Sequence, residues 1–224
     1  MISIIEASPA EIRELQPAHD LPKANLELAK ANRAKLYQHG CTAIDFMGAV
    51  GSGKTTLITR LIEKLNPQVG IAVVNGDPAT STDTDIIAKQ GVHVVQIATG
   101  NACHLDANLV GKALNKINLD RTTLVFIENV GNLISPAEYP VGSKARVVVI
   151  SITEGAYTIK KHPQIFLNAD VVVINKIDLA GAMDVSIADL INDVEKLNPN
   201  AQVIPASCKF NAGVDEVAIA LLAV

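Results

Sequence analysis

The sequence predicts an α/β fold built on a doubly wound, mostly parallel sheet, and three observations predict it. Short unbroken apolar runs recur at Ala43 to Met47, Ile71 to Val74, Val92 to Ile97, Leu124 to Ile127, Val147 to Ile150, Val171 to Ile174 and Ala201 to Ile204. They do not alternate with polar residues, so both faces of the strands need cover, as in a parallel sheet between helix layers. Stretches with helical spacing separate most of them, at Thr55 to Leu65, Thr82 to Gln90, Leu105 to Ile117, Ile187 to Leu197 and Val214 to Ala223. A β-α-β-α rhythm of this kind winds helices onto both sides of one sheet. Third, 49% of the residues are hydrophobic but only 3% aromatic, with no Trp, so the interior must be Val, Ile, Leu and Ala, the composition of buried parallel strands.

The segment before the first apolar run reads as helical. Ser8-Pro9-Ala10-Glu11 has the form of a helix start, with Ser8 as N-cap, Pro9 in the first turn and Glu11 reaching back. Pro17 and Pro22 break that helix. A second is expected from about Pro22 to His39, stopped by Gly40, with Lys23, Lys30, Arg33 and Lys35 on a solvated polar face. The chain therefore divides into an N-terminal helical extension, 1–40, and one α/β domain, 41–224; 224 residues suffice for one substantial core and not for two catalytic domains.

The formal charge is −4, and Lys and Arg are dispersed, so nucleic acid is not an expected partner. No segment approaches the roughly 20 apolar residues of a membrane span, and the first residues lack the basic and apolar order of a signal peptide, so no membrane association is expected and a cytoplasmic location is. Cys41, Cys103 and Cys208 are odd in number and far apart, which argues against a disulfide framework.

The first chemical motif opens at the end of the run Ala43 to Met47. Gly48-Ala49-Val50-Gly51-Ser52-Gly53-Lys54-Thr55 satisfies G-x-x-x-x-G-K-S/T between a strand and a helix. Glycines let consecutive backbone N–H groups turn toward phosphate oxygens, and the following helix presents its positive end to the same charge. Gly48, Val50, Gly51, Ser52, Gly53, Thr55 and Thr56 are expected to bind the nucleotide. Lys54 is expected to neutralise the β and γ phosphates as a catalytic group, and the Thr55 hydroxyl to bind Mg²⁺. The chain is thus expected to be a P-loop nucleoside triphosphatase.

Asn175-Lys176-Ile177-Asp178 follows the run Val171 to Ile174 and so emerges at the same sheet edge. It resembles the N-K-x-D element of guanine-nucleotide-binding proteins, in which the Asp accepts from guanine N1 and N2; adenine would leave that carboxylate unpaired. Ser207-Cys208-Lys209 resembles the S-x-K base-contact loop of the same proteins. Asn175, Lys176, Asp178, Ser207, Cys208 and Lys209 are therefore expected base contacts, and GTP the preferred nucleotide.

Two further acidic residues end strands, Asp77 after Ile71 to Val74 and Glu128 after Leu124 to Ile127. Either carboxylate can bind Mg²⁺ directly or through water and take part in catalysis. Glu128 with Gly131 resembles a switch element whose glycine N–H senses the γ-phosphate. Asp83 and Asp85 fall in the expected first switch. Helix caps or solvated loop carboxylates are the alternative reading of all four acids.

The phosphate loop, the Glu128-Asn129-Val130-Gly131-Asn132-Leu133 stretch, the Gly100-Asn101-Ala102-Cys103-His104-Leu105-Asp106 segment and the late NKID together resemble the HypB family, the nickel-insertion GTPases of nickel-iron hydrogenase maturation. The resemblance covers about Lys30 to the C-terminus. It implies a GTP-dependent homodimer that binds Ni²⁺ or Zn²⁺ at its interface and acts on the hydrogenase large subunit or another maturation factor. Cys103 and His104 suit either metal, but one pair is too few ligands; two pairs across a two-fold axis make S₂N₂. A half-buried Cys followed by a capping His is the alternative.

The chain departs from that family where a cysteine ligand is usual, at Ser135, and where some members carry a second histidine, at Asn108. Ile86 stands where Arg is common, and the N-terminal cysteine-rich motif and histidine-rich tail are missing. Weaker nickel binding with retained GTP switching is expected. A urease-accessory GTPase has Cys-Pro-His where this chain has Cys103-His104; a partitioning or cluster-carrying ATPase normally has lysine at Ala49 and lacks NKID. A nucleotide-holding scaffold with little turnover is the alternative from another class.

Overall fold

The computed structural model describes residues 1–6, 21–66, 68–77, 82–100 and 102–223, without the side chains of Glu6, Leu21, Asp77 and Thr82. The helix start expected at Ser8 to Glu11 and the break at Pro17 lie outside the described residues. The elements are β1 (Ile2–Glu6), α1 (Leu21–Gln38), β2 (Thr42–Met47), α2 (Lys54–Leu65), β3 (Ile71–Asp77), α3 (Thr82–Ala88), β4 (His93–Ala98), α4 (Ala107–Leu114), β5 (Leu124–Glu128), β6 (Ala145–Ser151), α5 (Thr158–Lys161), α6 (Pro163–Leu167), β7 (Val171–Asn175), α7 (Ala180–Met183), α8 (Ile187–Leu197), β8 (Gln202–Pro205) and α9 (Val214–Leu222).

Among the described residues, eight strands form one sheet in the order β1-β4-β3-β5-β2-β6-β7-β8. Every neighbouring pair is parallel, in keeping with the expected doubly wound, mostly parallel sheet. Each of the seven predicted apolar runs is a strand of it. Alternate residues build different cores. Ile44, Phe46, Val73, Phe126, Val147 and Val173 pack under α2 and α9, where Leu57, Leu61 and Val217 are fully buried. The opposite face is covered by α1 and α4 over one half of the sheet, with Ala43, Val74, Val125 and Ile127, and by α5, α6 and α8 over the other, with Val148, Ile150, Val172 and Ile174. Phe46 and Phe126 meet edge to face, 5.3 Å between centroids, and anchor adjacent strands under α2.

Two boundaries differ from the expectations. The first residues are not helical: Ile2–Glu6 is a strand pairing with β4, Ile4 opposite Gln96. The helix expected from Leu105 begins at Ala107, because the Asp106 side chain accepts from Leu109 N at 2.8 Å and caps it there. Among the described residues, no helix is long and apolar enough to cross a membrane.

The strand order turns at β2. From there the chain passes to one side through β3 and β4 and, after returning at β5, to the other through β6, β7 and β8. At such a switch point the loops at the carboxyl edge diverge and leave a crevice. Register then decides what faces it: Phe46 lies opposite Glu128, Asn75 beside Glu128, and Ser151 beside Asn175.

Candidate functional site

The loop from Gly48 to Thr55 closes over that crevice, and its glycines are required by contact as well as conformation. Gly48 has φ +147°, and a Cβ there would lie 2.1 Å from Val149 O. Gly53 has φ +101°, and a Cβ would lie 2.2 Å from Asn175 Nδ2. That approach is a tie: Asn175 Nδ2 donates to Ser52 O at 2.9 Å, while its Oδ1 accepts from Lys176 N at 2.8 Å and Cys208 N at 3.1 Å. One buried amide therefore joins the phosphate loop, the end of β7 and the loop after β8.

Lys54 opens α2 and is buried, and its Nζ donates to Gly48 O at 3.1 Å and Ala49 O at 3.0 Å. Both acceptors belong to the loop that Lys54 closes, so the ammonium is held over the loop's concavity. Thr55 Oγ1 donates to Glu128 Oε1 at 2.7 Å, joining the start of α2 to the end of β5. This hydroxyl and carboxylate supply the oxygen donors a hard divalent cation takes. Gly131 packs on the loop from the other side, a Cβ there falling 2.4 Å from Val50 Cγ2. Asp77 ends β3 at the same edge, but its side chain lies outside the described residues. In the first turn of α3, Thr84 is fully buried and accepts from Asn75 Nδ2 at 3.0 Å, whereas Asp85 is exposed.

Beside the phosphate loop lies a cavity of about 180 Å³. Gly53 and Thr56 form one wall, Lys176, Asp178 and Leu179 another, and Ser207, Cys208 and Lys209 the third. Asp178 Oδ1 accepts from Ser207 Oγ at 2.5 Å, which fixes the carboxylate plane. Lys176, at φ +61°, lays its side chain along the phosphate loop and donates from Nζ to Gly51 O at 2.7 Å. Cys208 is buried, its thiol pushed up to about 11 mainly by desolvation, and it lines the cavity as a neutral group. Glu154 is a residue the sequence reading missed. It accepts from Ser151 N at 2.9 Å, and burial raises its carboxyl while the nearby charges of Lys54 and Lys176 lower it.

Cys103 and His104 lie just ahead of α4. The Cys103 Sγ to His104 Nδ1 separation is 3.6 Å. Zinc–sulfur and zinc–nitrogen bonds of about 2.3 and 2.0 Å at a tetrahedral angle place the two donors about 3.5 Å apart, so the pair fits one metal. Ser135 is the third member of this patch, its Oγ 3.0 Å from Cys103 Sγ. His104 stacks on Tyr139, 3.9 Å between centroids, and burial lowers its pKa, which favours the neutral ring that ligates. Asn108 sits inside α4, whereas His104 lies ahead of it. Among the described residues no three His, Cys, Asp or Glu side chains converge on one point.

A buried polar link, also missed from sequence, joins this patch to the nucleotide edge. Asn129, next to Glu128, accepts from Leu105 N at 3.0 Å and donates from Nδ2 to Asp45 Oδ1 at 3.1 Å. Asp45 is itself buried in β2, its carboxyl pushed up to about 6 by desolvation, against the opposing Asn129 bond and Arg146 charge. A carboxylate raised above its unfolded value disfavours folding once ionised. Its cost is absent below about pH 4 and fully present above about pH 6, worth about 3 kcal/mol. The melting temperature of Asp45→Asn relative to wild type is therefore expected to rise by about 5 °C or more between pH 4 and pH 8. A difference independent of pH in thermal melts would contradict this.

Residues 42–205 match the family described as CobW/HypB/UreG, nucleotide-binding domain. The chain is 51% identical over 203 residues to a probable hydrogenase maturation factor HypB of Methanocaldococcus jannaschii, covering 91% of this chain and 92% of that protein. It is similar to the crystal structure of hydrogenase maturation factor HypB from Archaeoglobus fulgidus, with TM-score 0.85, 39% identity, and 90% and 98% of the two chains covered. HypB from Helicobacter pylori in complex with nickel has the same TM-score, 0.85, at 32% identity, covering 89% of this chain and 94% of that one.

Proposed function

Since this chain belongs to the HypB hydrogenase maturation factors, within the CobW/HypB/UreG nucleotide-binding domains, we propose that it is a GTP-hydrolysing metallochaperone that helps insert nickel into a nickel-iron hydrogenase. The observation that carries this reading is the single cleft in which Asp178, oriented by Ser207, faces the phosphate loop across Gly53 and Thr56. A purine edge at Asp178 then sits one ribose away from a triphosphate in the loop. In this reading residues 41–224 are the GTPase domain and 1–40 its N-terminal extension.

Backbone N–H groups of Gly51, Gly53 and Thr55 would hold the phosphates, Ser52 N already donating to Ala49 O at 3.2 Å, and Lys54 would neutralise the charge that develops as the γ-phosphoryl leaves. Thr55 and Glu128, with Asp77 a further candidate, would hold Mg²⁺, which would supply positive charge against the phosphates. Gly131 would report the γ-phosphate through its N–H. Asn175 and Lys176 support the loop, while Asp178, Ser207, Cys208 and Lys209 surround the base. A single-turnover assay with GTP, with and without Mg²⁺, tests the activity. Tight GTP binding with no product in either condition would replace the enzyme reading with that of a scaffold.

Nickel is the cargo in this reading, with zinc the competing ion, and Cys103 and His104 are its ligands. One protomer offers two donors, so a second copy of the chain completes a four-coordinate site across a two-fold axis. GTP is proposed to favour that dimer and hydrolysis to release it; equal masses by light scattering with GDP and with a nonhydrolysable GTP analogue would refute the dependence. The partners are the hydrogenase large subunit or another maturation factor. We place the work in the cytoplasm, where three free cysteines stay reduced.

The Cys103→Ala, His104→Ala double variant is expected to bind nickel at least about 100-fold more weakly than wild type in competition with a chromophoric chelator. Ser135→Cys is expected to tighten it, since the new thiolate would stand where Ser135 Oγ now lies, 3.0 Å from Cys103 Sγ. Affinity is expected to fall toward acid pH as protons compete for the His104 ring. Undiminished binding by the double variant would remove these residues from the site.

A further inference from the structure

A second cavity lies apart from the nucleotide cleft. A groove of about 310 Å³ runs between α1 and the segment leading into β6. Lys30 and Arg33 line it from α1, and Lys144 and Arg146 from the β6 side. Asp170 is the one carboxylate in the lining, and its Oδ2 already accepts from Arg146 N at 2.8 Å. Lys30 is already paired with Glu27 at 2.6 Å, but Arg33, Lys144 and Arg146 still outnumber Asp170 in the lining, in a chain whose formal charge is −4. Leu26, Ala29 and Pro140 give the groove an apolar strip between the charges.

The walls are fixed before anything binds. Asn25 Nδ2 donates to Pro140 O at 2.9 Å, and Asn32 Nδ2 to Val141 O at 3.1 Å. Gly142 presses against α1 so closely that a Cβ would lie 2.5 Å from Ala29 O. The same helix holds α4, through Ala107 N donating to Asn25 Oδ1 at 2.8 Å and Asn32 Nδ2 donating to Ala107 O at 2.7 Å. Pro140, in the groove's lining, directly follows Tyr139, the ring stacked on His104.

We propose that this groove is a docking surface for an acidic segment of a partner protein that gives metal to, or takes it from, the Cys103–His104 patch. The segment would set apolar side chains on Leu26 and Pro140 and carboxylates against Arg33, Lys144 and Arg146. An apolar strip flanked by exposed cations fits a peptide of mixed character better than a free phosphate, which would gain nothing from the strip. The partner's identity rests on the metal reading above; the groove's preference for an acidic peptide does not.

The test is fluorescence anisotropy with a labelled hexapeptide of four glutamates and two leucines, titrated with the full chain in the absence of metal and nucleotide. Charge reversal in Arg33→Glu, Lys144→Glu is expected to weaken binding about 10-fold or more, as is replacing the peptide's glutamates by glutamine, and binding is expected to weaken with added salt. Arg33→Gln, Lys144→Gln is expected to give a smaller loss in the same direction. Both variants should melt with wild type, since Arg33 and Lys144 are exposed. Equal affinity for wild type and the reversed variant, or no peptide binding at all, would overturn the proposal. So would a leucine-free peptide binding as tightly and being displaced by tripolyphosphate, which would make the groove a small-anion site. Because no metal is present, failure here leaves the nickel reading standing, and loss of nickel binding in the Cys103, His104 double variant leaves the groove standing.

Discussion

Replacing Lys54 with Ala is expected to lower GTP turnover about a thousandfold, the scale on which removing one aligned electrostatic stabiliser acts. Lys54 is buried at the start of α2, with Nζ bonded to Gly48 O and Ala49 O, the two residues at the mouth of the loop. A triphosphate in the loop would bring its β and γ oxygens to that ammonium. In the variant the inward backbone N–H groups remain, but the charge that compensates the transferred group is gone. The second readout is thermal. GTP at about 100 times its dissociation constant stabilises a protein by about 2.7 kcal/mol, and a domain of this size gains about 5–10 °C from that. Lys54→Ala is expected to lose most of the GTP-induced shift while its unliganded melt stays near that of wild type. A variant that hydrolyses GTP at the wild-type rate would remove Lys54 from the chemistry.

Asp178→Asn is expected to have the second largest effect and to change which base binds rather than whether one does. Ser207 Oγ donates to Asp178 Oδ1, so an Asn here keeps its oxygen toward Ser207 and presents its amide N–H₂ where the other carboxylate oxygen was. In the proposed pose guanine would direct N1–H and N2–H₂ at this residue, and a donor facing a donor would leave both unpaired. Affinity for GTP is expected to fall about 100-fold or more. Xanthine carries a carbonyl in place of the guanine amino group, so XTP is expected to bind the variant better than it binds wild type. An unchanged base preference would mean that Asp178 does not read the purine.

Much of the sheet was legible because it is written locally. Unbroken runs such as Val171 to Ile174 can bury both faces only between helix layers, and their loops carry the phosphate and NKID motifs at fixed spacing. β1 was not legible: Ile2–Glu6 is short, lies at the sheet edge with Ile2 and Ile4 exposed, and is defined by a partner strand about ninety positions away. The roles inside the site were less legible than its membership. Asn175 is part of NKID, yet its bonds to Ser52 O and Cys208 N show an amide clamping three loops, which no spacing rule conveys. Asp45 was visible as an acid inside an apolar strand, and that oddity was the available signal for the Asp45–Asn129–Leu105 link. Its partner lies on another strand, and only the pairing of β2 with β5 brings them together. Tyr139 carried no motif, since stacking on His104 depends on how the segment after β5 packs against the lead into α4.

The central claim is that a phosphate-holding loop and a guanine-reading carboxylate share one cleft. Titrating GTP and ATP, each with Mg²⁺, into the same preparation of the wild-type chain tests it most directly. GTP is expected to bind about 100-fold or more tightly than ATP. Equal affinities, or tighter ATP, would contradict it.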